Sequence, residues 1–167
     1  LAAGRIAAGT AGPGASYSAR AGGARKKITF LNRGTDLHRS RVSAFVLDCR
    51  VDDLAAATRF WSQALGRAIA NTDQDGDGKY AELATDPDEP FLLLQKVDHD
   101  ARIHLDIETD DIDAEVVRLE AFGATRVTFV KRWWVMQAPT GHRFCVVRKQ
   151  REEFGSHLNT WNPATWK

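Results

Sequence analysis

Two nine-residue segments of this chain align without a gap. Val46-Leu47-Asp48-Cys49-Arg50-Val51-Asp52-Asp53-Leu54 and His104-Leu105-Asp106-Ile107-Glu108-Thr109-Asp110-Asp111-Ile112 share Leu, Asp and an Asp-Asp pair at a constant offset of 58 positions (46 to 104). Self-similarity on this scale marks a duplicated supersecondary unit, so it limits the fold more than any other feature. Each copy opens as a strand, because apolar and polar positions alternate through 46–51 and 104–109. A helix follows in each. Asp52 or Asp53, and Asp110 or Asp111, can cap its first free amides, and Asp113 and Glu115 suit the positive end of the second helix dipole. Leu54, Ala57, Trp61, Ala64 and Leu65 make one apolar face, as do Ile112, Val116, Leu119 and Phe122, with Gly66 and Gly123 as the stops.

Strand material then comes in three pieces per copy: residues 68–72, 79–84 and 91–97, then 125–130, 133–138 and 143–148. The last strands also correspond, Phe91-Leu92-Leu93-Leu94-Gln95-Lys96 with Phe144-Cys145-Val146-Val147-Arg148-Lys149. The order is βαβββ, twice. Asp73-Gln74-Asp75-Gly76-Asp77-Gly78 between the second and third strands opens like a calcium loop, but the twelfth position holds Ala84 where a bidentate carboxylate belongs. Its two Asp-Gly pairs read as a hairpin turn.

Residues 1–40 are rich in Gly and Ala, and the first 35 carry Arg and Lys but no acid. Such a stretch buries too little apolar surface to offset its chain entropy, so disorder or loose packing is expected. It reads as an organellar transit peptide or as sequence foreign to the native start. The folded part is expected over 41–150, as modules 42–98 and 102–149. The tail, 151–167, carries Trp161 and Trp166 and is expected to pack on the body or on a second subunit. A net charge of +1 gives no electrostatic case for nucleic acid, and no apolar run reaches membrane-spanning length. Cys49 and Cys145 sit in apolar runs, which favours reduced core thiols and a cytoplasmic location.

The phrases Val46-Leu47-Asp48-Cys49, Arg59-Phe60-Trp61 with Ala64-Leu65-Gly66, His104-Leu105-Asp106, and Pro139-Thr140-Gly141-His142-Arg143-Phe144-Cys145-Val146-Val147 resemble the glyoxalase-like domains of the vicinal-oxygen-chelate superfamily, which includes glyoxalase I, extradiol dioxygenases and bleomycin-resistance proteins. The resemblance implies an α+β fold: two βαβββ modules forming a cupped, mixed sheet of eight strands with the helices outside. It implies a divalent metal held from the first and last strands of each module, slots that map to Val46, roughly Leu92, His104 and Cys145. Two of these are aliphatic, so no metal or other cofactor is expected; His104 and Cys145 are the ligands if one binds. It also implies a homodimer.

Strand parity sends Leu47, Cys49, Val51, Leu105 and Ile107 toward the helices and Val46, Asp48, Arg50, His104, Asp106 and Glu108 into the cup. One reading is a polar small-molecule site in which His104, Asp106 and Asp48 are catalytic, an imidazole exchanging protons near neutral pH beside carboxylates that orient it. Arg50, Glu108, Arg143 and Cys145 join it as ligand-binding residues, with Trp134 and Met136 offering a flat apolar surface. The other is structural: the same groups bond to backbone and arginine and tie module to module. The function expected is a metal-free glyoxalase-like site with lyase- or isomerase-type proton transfer. A sequestering protein of bleomycin-resistance type, or a metal-dependent lyase or dioxygenase, is the alternative.

Overall fold

The computed structural model describes residues 37–71, 76–151, 154 and 157–165. The N-terminal stretch 1–36, the opening Asp73 to Asp75 of the acidic turn, and Trp166 lie outside the described residues. Among the described residues, nine strands and two α-helices follow in the order β1 (His38–Cys49), α1 (Leu54–Leu65), β2 (Ile69–Asn71), β3 (Tyr80–Leu83), β4 (Phe91–Lys96), β5 (Arg102–Thr109), α2 (Ile112–Ala121), β6 (Thr125–Val130), β7 (Trp133–Gln137), β8 (Arg143–Arg148) and β9 (Asn159–Trp161). Up to β8 this is βαβββ twice. Among the described residues, no helix is long and apolar enough to cross a membrane.

The strands form one open, mixed sheet in the order β2-β3-β4-β1-β5-β8-β7-β6, with β9 added to β1. The duplication is visible in its centre. β1 and β5 are antiparallel neighbours, and Val46 pairs with His104, the two residues that begin the sequence repeat. Outward from this pair, β1 runs parallel to β4 and β5 parallel to β8, and each outer trio is antiparallel. Each helix packs on the sheet of its own module. Leu54 and Trp61 of α1 pack on Leu47, Ala81, Leu83 and Leu94; Val116 of α2 packs on Met136, Phe144 and Val146. Removing Leu83 or Leu94 from water contributes about 2 kcal/mol each.

The helix boundaries follow from the caps. Asp53 accepts from the Ala55 amide at 2.9 Å and Asp111 from Ala114 at 3.0 Å, which settles which acid of each pair is the N-cap. Gly66 ends α1 in the left-handed region, at φ 65°. Glu115 lies in the first turn of α2, as expected, and has a second role: its carboxylate is wholly buried, accepting from His38 Nε2 at 2.7 Å, Ser40 Oγ at 3.1 Å and Arg118 Nη2 at 2.6 Å. β1 makes this contact because it starts at His38, inside the stretch that sequence alone set aside. β9 pairs along the same end of β1, where the Trp161 indole donates to Ser40 Oγ at 2.7 Å and Arg118 stacks 3.8 Å over its ring.

Candidate functional site

The register fixes which side chains meet inside the cup. Residues paired across strands share a face, so Val46 brings Leu93 and Glu82 with it, and Asp48 brings Gln95 and Tyr80. In the second module Asp106 pairs with Cys145, and Cys145 with Val135. These groups line a cavity of about 690 Å³, a size suited to a small organic ligand.

His104 stands at its floor between two carboxylates. Its Nδ1 lies 3.1 Å from Asp48 Oδ2 and its Nε2 3.5 Å from Asp106 Oδ1, and the ring is 9% exposed. Asp48 Oδ2 also accepts from Arg102 Nε at 3.0 Å, with His99 Nε2 at 3.7 Å. Burial alone would push the imidazole down, but Asp106 and Asp48, helped by Cys145, outweigh it and hold His104 up to about 11. Burial likewise opposes ionisation of Asp48, yet His104 and Arg102 keep its carboxyl below the usual range. The Cys145 thiol is pushed up by burial against the pull of His104. Such shifts make the floor at neutral pH an imidazolium between carboxylates beside a neutral thiol, where an imidazole exchanging protons near pH 7 is the expectation from sequence.

The 3.5 Å gap is too long for a good hydrogen bond, and Asp106 Oδ1 has no hydrogen-bond partner although buried. A cationic N–H donor and a free carboxylate lone pair thus face the same space. A consequence for stability follows from the sign of the His104 shift. Its folded pKa lies above the unfolded value, so its contribution is complete below about pH 6.5 and is lost as pH rises toward 11, by at most about 1.4 kcal/mol per pH unit. Chemical denaturation between pH 6.5 and 10 should show wild type weakening with pH and His104→Gln following a flatter line; parallel lines would refute the assignment.

Not every expected residue belongs to the cup. Asp48, His104, Asp106, Arg143 and Cys145 line it together. Arg50 lies past the end of β1 and is exposed, pairing with Asp100 at 2.8 Å. Glu108 is fully buried beyond the cup, where Arg41 Nε, opposite it on β1, donates at 2.6 Å and the Gln150 amide at 2.6 Å. Trp134 and Met136 face α2, because β7 is phased by its pairing to β8: Trp134 opposes Val146 and Met136 opposes Phe144, both core residues. Their neighbours Trp133 and Val135 line the cup instead. Leu92 packs against the α1 core, and Leu93 takes its place on the inner face. Arg102, Tyr80, Glu82 and Gln95 are not singled out by the sequence; pairing β4 to β1 in register identifies Gln95, and pairing β3 to β4 identifies Tyr80 and Glu82.

The hard octahedral metal that the resemblance implies does not fit, since Val46 and Leu93 offer no donor atoms where two of its ligands would sit. A different set does converge: one ligand atom each from His104, Asp106 and Cys145, all within 4.8 Å of one another. That nitrogen, oxygen and sulfur set fits a borderline ion such as zinc, and Asp48 on Nδ1 would orient the histidine.

Residues 44–147 match the family model described as the glyoxalase-like domain. Among solved structures, hypothetical protein BH1468 from Bacillus halodurans C-125 aligns with a TM-score of 0.50 at 12% identity, over 68% of this chain and 97% of that one. Methylmalonyl-CoA epimerase from Mycobacterium tuberculosis aligns with 0.48 at 18%, over 66% and 89%. An extradiol ring-cleaving dioxygenase from B. fuscum aligns with 0.45 at 19%, over 66% of this chain and only 33% of its own length. No curated protein sequence matches the chain.

Proposed function

We propose that this chain, which belongs to the glyoxalase-like domain family, binds a small organic molecule in the cup and moves a proton on it. The observation that supports this reading is the His104–Asp106 pair: a charged donor and a hydrogen-bond-free carboxylate oxygen, 3.5 Å apart, at the floor of the cavity. Asp106 takes a proton from an acidic C–H of the ligand. His104 Nε2–H supports the negative charge that develops on the adjoining oxygen, and Asp48 with Arg102 holds the ring in place. The bond broken is C–H and the bond formed is O–H on Asp106. Return of the proton to a different atom or face completes an isomerisation; loss of a leaving group completes a lyase reaction.

Two free thiols, Cys49 and Cys145, support a cytoplasmic setting. Exposed Phe45, Ile103 and Leu105, on the outer face of the central strands, support a homodimer. The reaction is tested by incubating the protein in deuterium oxide with a panel of metabolites carrying acidic C–H bonds and following exchange by proton NMR. Exchange by wild type that is lost in Asp106→Asn supports it. Saturable binding with no exchange anywhere in the panel would replace it with the sequestering role.

A further inference from the structure

The cup contains a cation that the proton-transfer scheme does not use. Arg143 opens β8 on the face shared by Cys145 and Val147, and it lines the cavity. Phe144 pairs with Leu105 and Cys145 with Asp106 in a parallel ladder, so one step back sets Arg143 beside His104. Its Nη1 is buried without a hydrogen-bond partner. Among the described residues neither nearby carboxylate is within ion-pair distance of it: Asp48 is held by Arg102 and His104, and Asp106, with its Oδ1 free of hydrogen bonds, stands 3.5 Å from His104. Among the described residues Arg143 has no ion-pair partner, whereas Arg41, Arg67, Arg102 and Arg118 each have one. An unpaired guanidinium with a desolvated N–H is costly unless something else supplies the acceptor.

We propose that the cup recognises a carboxylate-bearing molecule, with Arg143 as its anchor. This rests on the cup being the ligand site and adds the substrate class. A guanidinium fork matches the two oxygens of a carboxylate in one plane. Adjacent strands are about 4.8 Å apart, so a carboxylate held by Arg143 sets the carbons one to three bonds away over His104 and Asp106. An acidic C–H next to the carboxylate, or next to a 2-oxo group beside it, then faces the Asp106 oxygen. Val46, Leu93, Val135 and Trp133 form the apolar wall and take an aliphatic or aromatic substituent. A phosphate dianion fits less well, since Asp106 stands one strand from Arg143 and repels the second charge.

The test compares phenylpyruvate, 4-methyl-2-oxopentanoate and phenylacetate with their primary amides by calorimetry on the full chain. The expected result is at least one acid binding about 10- to 100-fold more tightly than its amide, the range for a charge-assisted pair. Arg143→Gln should abolish that preference, Arg143→Lys should restore part of it, and Arg50→Gln, which removes an exposed charge outside the cup, should leave it intact. The melting temperature of each variant reports folding independently. Equal binding of acid and amide, or a preference that survives Arg143→Gln, overturns the carboxylate class while leaving the cup as a ligand site. Absence of binding in both series overturns it too, and deuterium exchange on other compounds then decides separately whether the proton-transfer reading stands.

Discussion

Replacing Glu115 by alanine destabilises the protein by about 3–5 kcal/mol, the cost of removing one partner from a buried charge cluster, and lowers the melting temperature by roughly 10 °C or more. Glu115 is wholly buried and accepts from His38, Ser40 and both Nε and Nη2 of Arg118. His38 is 1% exposed and Arg118 8%, so neither can turn to water when the carboxylate goes. The cluster joins α2 to the first residues of β1, and through Ser40 and Arg118 it reaches Trp161 of β9. Glu115→Gln keeps the shape but not the charge and should fall between. Asp100→Ala is the contrast: its partner Arg50 is 63% exposed and Asp100 97%, and such a pair contributes little. Urea denaturation measures all three. A loss below about 1 kcal/mol for Glu115→Ala would mean that the cluster relaxes into solvent.

The largest effect on chemistry belongs to Asp106. Asp106→Asn retains the size of the side chain but removes the basic oxygen, and the exchange rate should fall by about 10²- to 10⁴-fold, the usual contribution of a positioned base. His104→Gln should cost comparably through loss of the cationic N–H, and the double variant should be little worse than either, since the two groups act as one unit. The pH profile separates this arrangement from a histidine base. With His104 held up to about 11 by its two carboxylates, the wild-type rate should be level from pH 6 to 9. An inflection near 6.5, or Asp106→Asn at wild-type rate, would assign the base to the imidazole or to a group outside the pair.

Much of this architecture was legible because the repeat carries the pairing with it. Val46 and His104 correspond in the alignment and face each other in the sheet; strand parity placed Asp48, His104 and Asp106 on one surface, and the family resemblance added Cys145. Parity failed where it needed a register. Trp134 and Met136 share a face, as alternation requires, but only the pairing of β7 to β8 shows that this face meets α2. Glu108 has the phase of His104 and Asp106, yet the early part of β1 covers it with Arg41. That stretch carries no repeat and follows a Gly-rich run, so neither it nor the Glu115 cluster announced itself. The protonation of His104 was equally invisible, because it depends on two carboxylates from separate strands closing on one ring.

The charge on His104 is the centre of the account, and proton and nitrogen NMR of the His104 ring across pH 5 to 11, assigned with His104→Gln, measures it directly. The imidazolium shifts should persist to at least pH 9, with both ring nitrogens protonated, and in Asp48→Asn the titration should move downward. A ring that loses its proton near pH 6.5 in wild type would contradict the account, leaving an ordinary buried histidine where it requires a fixed positive charge.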